Sequence, residues 1–341
     1  MTFQFCDSMD AYTATGDLAL KWDSVLGTPA FYSSAGKFGG GAVGSNGGGS
    51  SYSNQLIKNL SLVSGGTIRF GGYFCCATPS GMASQYPVFS VNGNASNGCI
   101  LTVNTSGQIV LTNSGTVLAT SSVSVLGSAL HWIEFQCKLN GASSTATLYI
   151  DGVLQFTGTY NLAYSAMALT NVLFGYGYIF SGACYWDDIV VWDDQGSTFN
   201  TFPIGPRRIS CLIPNGAGAF AQFTPSAGAN YACVAQAYSG TAYVEDTSSG
   251  NKDTYATAGL GYTPSSTINA VVVNVFGLNP AADGTKSIAP VLRSAGLNAT
   301  GTTHTLPGTP GANYQDAFTL DAGGSAWSAS SVNSSQPGIG D

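Results

Sequence analysis

The stretch Gly182–Gly196, GACYWDDIVVWDDQG, sets two acidic doublets around an apolar run in a chain of 341 residues of which only 8% are charged. Strand parity decides how it reads. In an uninterrupted strand Tyr185, Asp187, Ile189, Val191 and Asp193 share one face, and Trp186, Asp188, Val190, Trp192 and Asp194 share the other. Each doublet is then split across a sheet. Same-face carboxylates six residues apart stand about 20 Å from each other at strand rise, too far to share a proton or an ion. The run therefore reads as one apolar strand with carboxylates at its turns, not as a catalytic pair.

The same alternation, punctuated by Gly, Asn and Ser, recurs on both sides of this run and predicts an all-β protein. Strands are expected over residues 65–74, 99–103, 108–112, 132–139, 146–150 and 185–192. Their separators, Asn104-Thr-Ser-Gly107, Asn113-Ser-Gly115 and Asp151-Gly152, carry turn chemistry. The spacing is that of a sandwich. At Phe202-Pro-Ile-Gly-Pro-Arg-Arg208 the pattern breaks, which sets domains at 1–202 and 207–341. The second block alternates again at 219–223, 231–235, 242–245, 268–276 and 287–293. Residues 325–341 are small and polar, and read as a tail that orders only against a neighbour.

Composition narrows the partners. A 44% hydrophobic content with 17 Tyr, 17 Phe and 5 Trp is enough to bury cores despite 45 glycines. A net charge of −7, with ten Lys and Arg scattered along the chain, leaves no basic stripe for nucleic acid. No apolar run reaches membrane-spanning length, and Met1–Asp7 has no secretory pattern. The eight cysteines (Cys6, Cys75, Cys76, Cys99, Cys137, Cys184, Cys211, Cys233) show no zinc spacing. They read as thiols of a reducing cytoplasm in preference to a disulfide framework. The glycine-rich run 39–50 lacks a preceding strand and a following Lys-Ser/Thr, so it reads as a flexible loop and not a phosphate cradle.

Candidate chemistry is sparse. The only glutamates, Glu134 and Glu245, fall in different domains. Glu134 has Trp132 and Gln136 as its same-face neighbours, which argues against a paired-carboxylate glycosidase site. His131 reads as the start of a strand and His304 as a loop or edge residue, and no Gly-x-Ser-x-Gly elbow accompanies either. No cofactor is expected. Calcium is the one exception left open, with Asp151, Asp187 and Asp188 as candidate metal ligands if their strand ends meet. Tyr160, Tyr164, Tyr176 and Tyr178, flanked by glycines, are the candidates for stacking on sugar; core packing is the competing use.

Residues 1 to about 200 resemble the concanavalin A-like lectin/laminin-G jelly-roll superfamily. The resemblance lies in Phe5-Cys-Asp-Ser-Met-Asp-Ala-Tyr12, Trp22 and Gly36-Lys-Phe-Gly-Gly-Gly-Ala-Val43. It continues in Trp132-Ile-Glu-Phe-Gln136 with Leu148-Tyr-Ile-Asp-Gly-Val153, and in Phe174-Gly-Tyr-Gly177 with Cys184–Trp192. It implies a jelly-roll sandwich in which the Asp-Asp-Ile run is chiefly architectural. The superfamily hosts lectins, adhesion modules and glucanases, and the glucanases' Glu-x-Asp-x-x-Glu strand is missing here. Residues 207–341 resemble a domain of tailed-bacteriophage structural proteins, through 221–231, 243–255, 268–275 and 284–294. This resemblance implies a second β-sandwich and a non-enzymatic virion structural protein, a tail fibre, appendage or capsid decoration made in the bacterial host cytoplasm. The partners that the two resemblances together imply are other capsid or tail proteins, further copies of the chain with a trimer favoured, and a host-surface glycan bound through the lectin-like domain. The alternative is a polysaccharide-degrading tail enzyme using Asp residues.

Overall fold

The computed structural model describes residues 3–27, 29–45, 54–60, 65–76, 86–91, 99–162, 170–176, 184–195, 201–235, 241–265, 267–309 and 311–341. The chain forms two compact units, Met1–Ile209 and Ser210–Asp341. Segment 202–209, where the sequence pattern breaks, belongs to the first.

Strands of the first unit are β1 (Phe3–Asp7), β2 (Ser24–Leu26), β3 (Pro29–Tyr32), β4 (Ala42–Ser45) and β5 (Asn54–Asn59). They continue with β6 (Ile68–Cys76), β7 (Tyr86–Val91), β8 (Ile100–Val103), β9 (Gln108–Asn113) and β10 (Thr116–Ser124). The last five are β11 (His131–Lys138), β12 (Ser144–Ile150), β13 (Val153–Tyr160), β14 (Asn171–Tyr176) and β15 (Cys184–Asp193). Among the described residues they build two antiparallel sheets. One has eight strands in the order β13-β12-β11-β6-β15-β4-β3, with β1 also paired to β15; the other has seven, β10-β9-β8-β7-β14-β5-β2. The two form a jelly-roll sandwich. Its core is knitted by aromatic rings from both sheets: Phe70 of β6 meets Phe89 of β7 at 3.9 Å and Phe174 of β14 at 5.4 Å, and Trp186 of β15 meets Phe174 at 5.2 Å.

Turn chemistry sets the register. Asp151 and Gly152 both take positive φ (50° and 78°) between paired Ile150 and Val153, and Ser114-Gly115 (47° and 81°) do the same between Asn113 and Thr116. Two central residues with φ above zero match the right-handed twist of the flanking strands, as the Asp-Gly and Ser-Gly dipeptides promise. Gly71 serves a different need, because a Cβ there would lie 2.5 Å from the Trp132 ring that crosses it.

The second unit contains β16 (Pro214–Ala221), β17 (Thr224–Pro225), β18 (Val244–Glu245), β19 (Lys252–Thr257) and β20 (Val271–Gly277). After these come β21 (Ser287–Ser294), β22 (Leu297–Thr300), β23 (His304–Thr305), β24 (Ala312–Phe318) and β25 (Gln336–Gly340). A six-stranded sheet runs β16-β19-β25-β21-β22 with β23 on β21, and β20–β24 form a separate ribbon. Val273 and Val275 of that ribbon pack with Ile288, Leu292, Trp327 and Ile339.

Two expectations fail here. Residues 231–235, read as a strand, lie largely in a short helix, α1 (Asn230–Val234), docked against β16 with Cys233 buried. The supposed polar tail is structural: α2 (Ala329–Asn333) is capped by Ser328, and β25 occupies the middle of the sheet between β19 and β21. Three buried side chains widely spaced in a polar stretch, Trp327, Val332 and Ile339, anchor it. Gly338 carries no Cβ because one would lie 2.0 Å from the Asp253 carbonyl.

Candidate functional site

Strict alternation along β15 does not hold, and the exception makes the site. Trp186, Ile189 and Val191 face the core, whereas Tyr185 and Val190 belong to a cluster on the opposite face. Between them the register against β6 shifts, and Asp188 adopts φ 51°. A bulge of this kind inserts an extra residue and re-aims the side chains around it. The expectation that the Asp187-Asp188 doublet is split across the sheet is thereby corrected: both residues line one cavity.

The bulge sits where the other edge of β15 changes partner. Cys184 to Trp186 pair with β4, and Ile189 to Trp192 pair with β1, leaving the acids in the gap. Chain leaving β1 and chain entering β4 converge there. The cavity, of about 250 Å³, is lined by Asp10, Phe38, Gly39, Gly40, Asp187, Asp188, Arg208 and Ile209. Arg208 lies over the Phe38 ring at 4.9 Å.

Each carboxylate is held by backbone. Asp187 Oδ2 accepts from Lys37 N at 2.7 Å and its Oδ1 from Asp188 N at 2.8 Å. Asp10 Oδ1 accepts from Gly41 N at 2.8 Å, and Asp188 Oδ1 from Ile209 N at 3.1 Å. Asp188 Oδ2 is buried without a donor. Next door, the fully buried Asp7 accepts from Met9 N (3.0 Å), Trp22 Nε1 (2.9 Å), Lys21 Nζ (3.0 Å) and the Tyr12 hydroxyl. The glycine run 39–50, read as a flexible loop, is over its described residues 39–45 a fitted turn and strand. A Cβ on Gly40 would fall 1.8 Å from Asp10 Oδ1, and one on Gly36 2.9 Å from Asp187 Oδ2.

Burial sets the electrostatics. It raises the Asp187 carboxyl to about 7, opposed by the amides it accepts from and reinforced by the charges of Asp10 and Asp7. Burial, then the charge of Asp187, raises Asp188 strongly, and burial raises Asp10 against the pull of Arg208. Asp187 is therefore partly protonated near neutrality, because burial penalises its charged form before the neighbouring carboxylates add to the effect. Tyr73, pushed up to about 12 by burial first, also feels Asp188, Asp151 and Asp187.

The sequence candidates for a metal are only partly brought together. Asp151 is engaged in its hairpin turn, with Oδ2 at 2.7 Å from His131 Nδ1 and Oδ1 accepting from Trp132 N at 2.8 Å. Among the described residues no three His, Cys, Asp or Glu side chains group as metal ligands. Of the three candidates, Asp187 and Asp188 line one cavity together with Asp10, and Asp151 is not among its lining residues. Of the tyrosines, Tyr160 closes β13, is half-buried and meets Phe156 edge-on at 6.3 Å. Tyr164 and Tyr178 lie outside the described residues, as does the side chain of Tyr176, whose backbone ends β14 opposite Asn54.

Sequence reasoning missed Asp10, Lys37 and Arg208. A signal existed: two adjacent Asp inside a strand, where Asp is depleted, mark an irregularity. Glu134 has a comparable role on β11. It is fully buried, and its Oε1 and Oε2 accept from Ile204 N (2.6 Å) and Gly205 N (2.8 Å), while Phe202 packs between Tyr149 and Trp192. Residues 202–209 are thus strapped across the outer face of the eight-stranded sheet by Glu134 and Asp188. In the second unit Asp253, also fully buried, binds Gln222 N (2.6 Å), Phe223 N (2.9 Å), Asn230 Nδ2 (2.5 Å) and the Tyr255 hydroxyl (3.1 Å).

No family model matches the chain, and no curated protein matches it. Among solved structures it is similar to an endo-β-1,4-glucuronan lyase from the fungus Trichoderma reesei, at 14% identity and a TM-score of 0.42 over 56% of this chain and 95% of that one. It is also similar to the alginate lyase Aly36B (13%, TM-score 0.40, 55% and 96%). A third likeness is to the binding domain of Paraclostridial Mosquitocidal Protein 1 (11%, TM-score 0.37, 50% of this chain and 43% of that one).

Proposed function

We propose that this chain is a non-enzymatic structural and adhesive protein of a tailed-bacteriophage virion, with its first unit directed at a host-surface glycan. The observation that carries the non-enzymatic part is how the buried acids are used. Asp7, Asp187, Asp188, Glu134 and Asp253, all buried, and the exposed Asp10 each accept at least one backbone amide and fasten a loop, strap or strand end, with Asp188 Oδ2 the one buried oxygen among them that has no donor. A carboxylate committed to backbone donors is a structural staple; a general acid or base has to keep an oxygen aimed at a bound substrate. The virion placement is supported by the resemblance of residues 207–341 to phage structural domains. Assembly as a homo-oligomer, with a trimer favoured, is supported by the small core of the second unit, whose cluster holds eight buried apolar side chains among the described residues. Copies packed together would bury more.

The test is to incubate the purified chain with host capsule and cell-wall polysaccharides, measuring retention and chain length together. Retention with unchanged chain length is the expected result. Shortened chains would replace this reading with the polysaccharide-degrading one. Replacing Tyr176 and Tyr178 by Ala is expected to abolish both retention and adsorption of particles to host cells if these rings stack on sugar; if the virion role is decoration alone, the chain is not retained and the variant weakens particles with adsorption unchanged.

A further inference from the structure

We infer that Cys76 and Cys184 are a disulfide-forming pair, closed by a small-molecule disulfide such as oxidised glutathione. The two residues are direct cross-strand partners at the ends of β6 and β15, and their sulfurs lie 2.8 Å apart. Neither is bonded in a disulfide in this structure.

Backbone geometry explains why this pair is suited to the bond. Cys76 donates its N–H to Val125 O (3.1 Å), and its carbonyl accepts from Gly127 N (2.8 Å), so both main-chain groups point away from β15. Facing Cys184, it is then the non-hydrogen-bonded member of an antiparallel ladder. Such pairs have Cα atoms about 4.5 Å apart, inside the roughly 4.4–6.8 Å range that disulfides span. Both side chains point into the sandwich core, whereas Cys75 lies in the cluster on the opposite face of the sheet. Alternation therefore selects Cys76 over its neighbour as the partner of Cys184.

The exchange balances without a further reactant. One cysteine thiolate attacks the small disulfide and releases a glutathione thiol, and the second cysteine then displaces the other glutathione. One S–S bond replaces two S–H bonds, and two electrons and two protons leave on the two glutathione thiols. Both sulfurs are buried and burial raises the Cys184 thiol, so attack proceeds through opening of the strand ends and is slow.

Holding the folded chain in oxidised glutathione, quenching with acid, and alkylating in denaturant distinguishes the outcomes. Six alkylated cysteines of the eight and a linked peptide containing residues 76 and 184 are expected. The link is expected to survive Cys75→Ser and to vanish in Cys76→Ser and in Cys184→Ser. The oxidised chain should melt on the order of 5 °C above the reduced one, with the difference absent in Cys184→Ser. Eight alkylated thiols after prolonged oxidation, or a link through Cys75, would overturn the assignment; the peptide map of the unmodified chain decides this even if a variant fails to fold.

Discussion

Asp188 carries the least comfortable oxygen of the described first unit. Its Oδ1 holds the Ile209 amide while Oδ2 is buried with no donor, beside Asp187 and Asp10. Leaving a buried acceptor unsatisfied costs about 1–3 kcal/mol, more when it is charged. Replacing Asp188 by Asn keeps the Oδ1 acceptor, removes the charge, and turns a donor toward its carboxylate neighbours. Asp188→Asn is therefore expected to raise the melting temperature at pH 8, and Asp188→Ala to lower it by freeing the Ile209 amide. Glu134 is the contrasting case, since both of its oxygens are used. Glu134→Gln is expected to cost about 1–3 kcal/mol, because the amide offers only one acceptor to two backbone donors; chemical denaturation measures it. Neither behaviour is legible in the sequence. The reading placed Glu134 beside Trp132 and Gln136 on one face, which is where it lies, but the donors come from residues 70 and 71 positions away.

Elements were far more legible than contacts. Five of the six strands expected in the first unit differ at their observed ends by no more than two residues, because alternation and Asp-Gly or Ser-Gly turns are local signals. Irregularities were not. The β15 bulge depends on two strands, β4 and β1, sharing one edge, a fact created by pairing across about 140 residues for β4 and about 185 for β1. The loop 36–41 is the matching blind spot. Glycine in a sequence signals freedom, yet here Gly40 is required by close approach, whereas a Cβ on Gly39, at φ 88°, meets nothing within 4 Å. Gly39→Ala is expected to cost about 1 kcal/mol from backbone strain alone. Gly40→Ala is expected to cost several-fold more by displacing Asp10 from the Gly41 amide. Equal losses in thermal unfolding would show that the fit around Asp10 does not matter.

Across the whole molecule the buried acids make stability depend on pH in an unusual direction. Asp10, Asp187, Asp188 and Glu134 all have carboxyls raised by burial above their ordinary values, Asp187 to about 7. A raised carboxyl binds its proton more tightly in the folded chain than in the unfolded one. Between the unfolded value near 4 and the folded value, the folded state holds more protons, and stability falls as pH rises. Asp17 and Asp194 are lowered by backbone and side-chain hydrogen bonds and act oppositely, but what they add is complete above about pH 4 and is lost only in stronger acid. The melting temperature is therefore expected to peak in mild acid near pH 5 and to decline through pH 7. Most of that decline should disappear when Asp187 and Asp188 are both Asn. Calorimetry from pH 4.5 to 8 checks it, and a melting temperature that climbs steadily across that range would mean these carboxylates are ionised at little cost. The same scan repeated with millimolar calcium tests the open cation question. A gain present in the wild type at high pH and absent from the double Asn variant would assign the ion to Asp187 and Asp188, because only their ionised forms bind a hard cation.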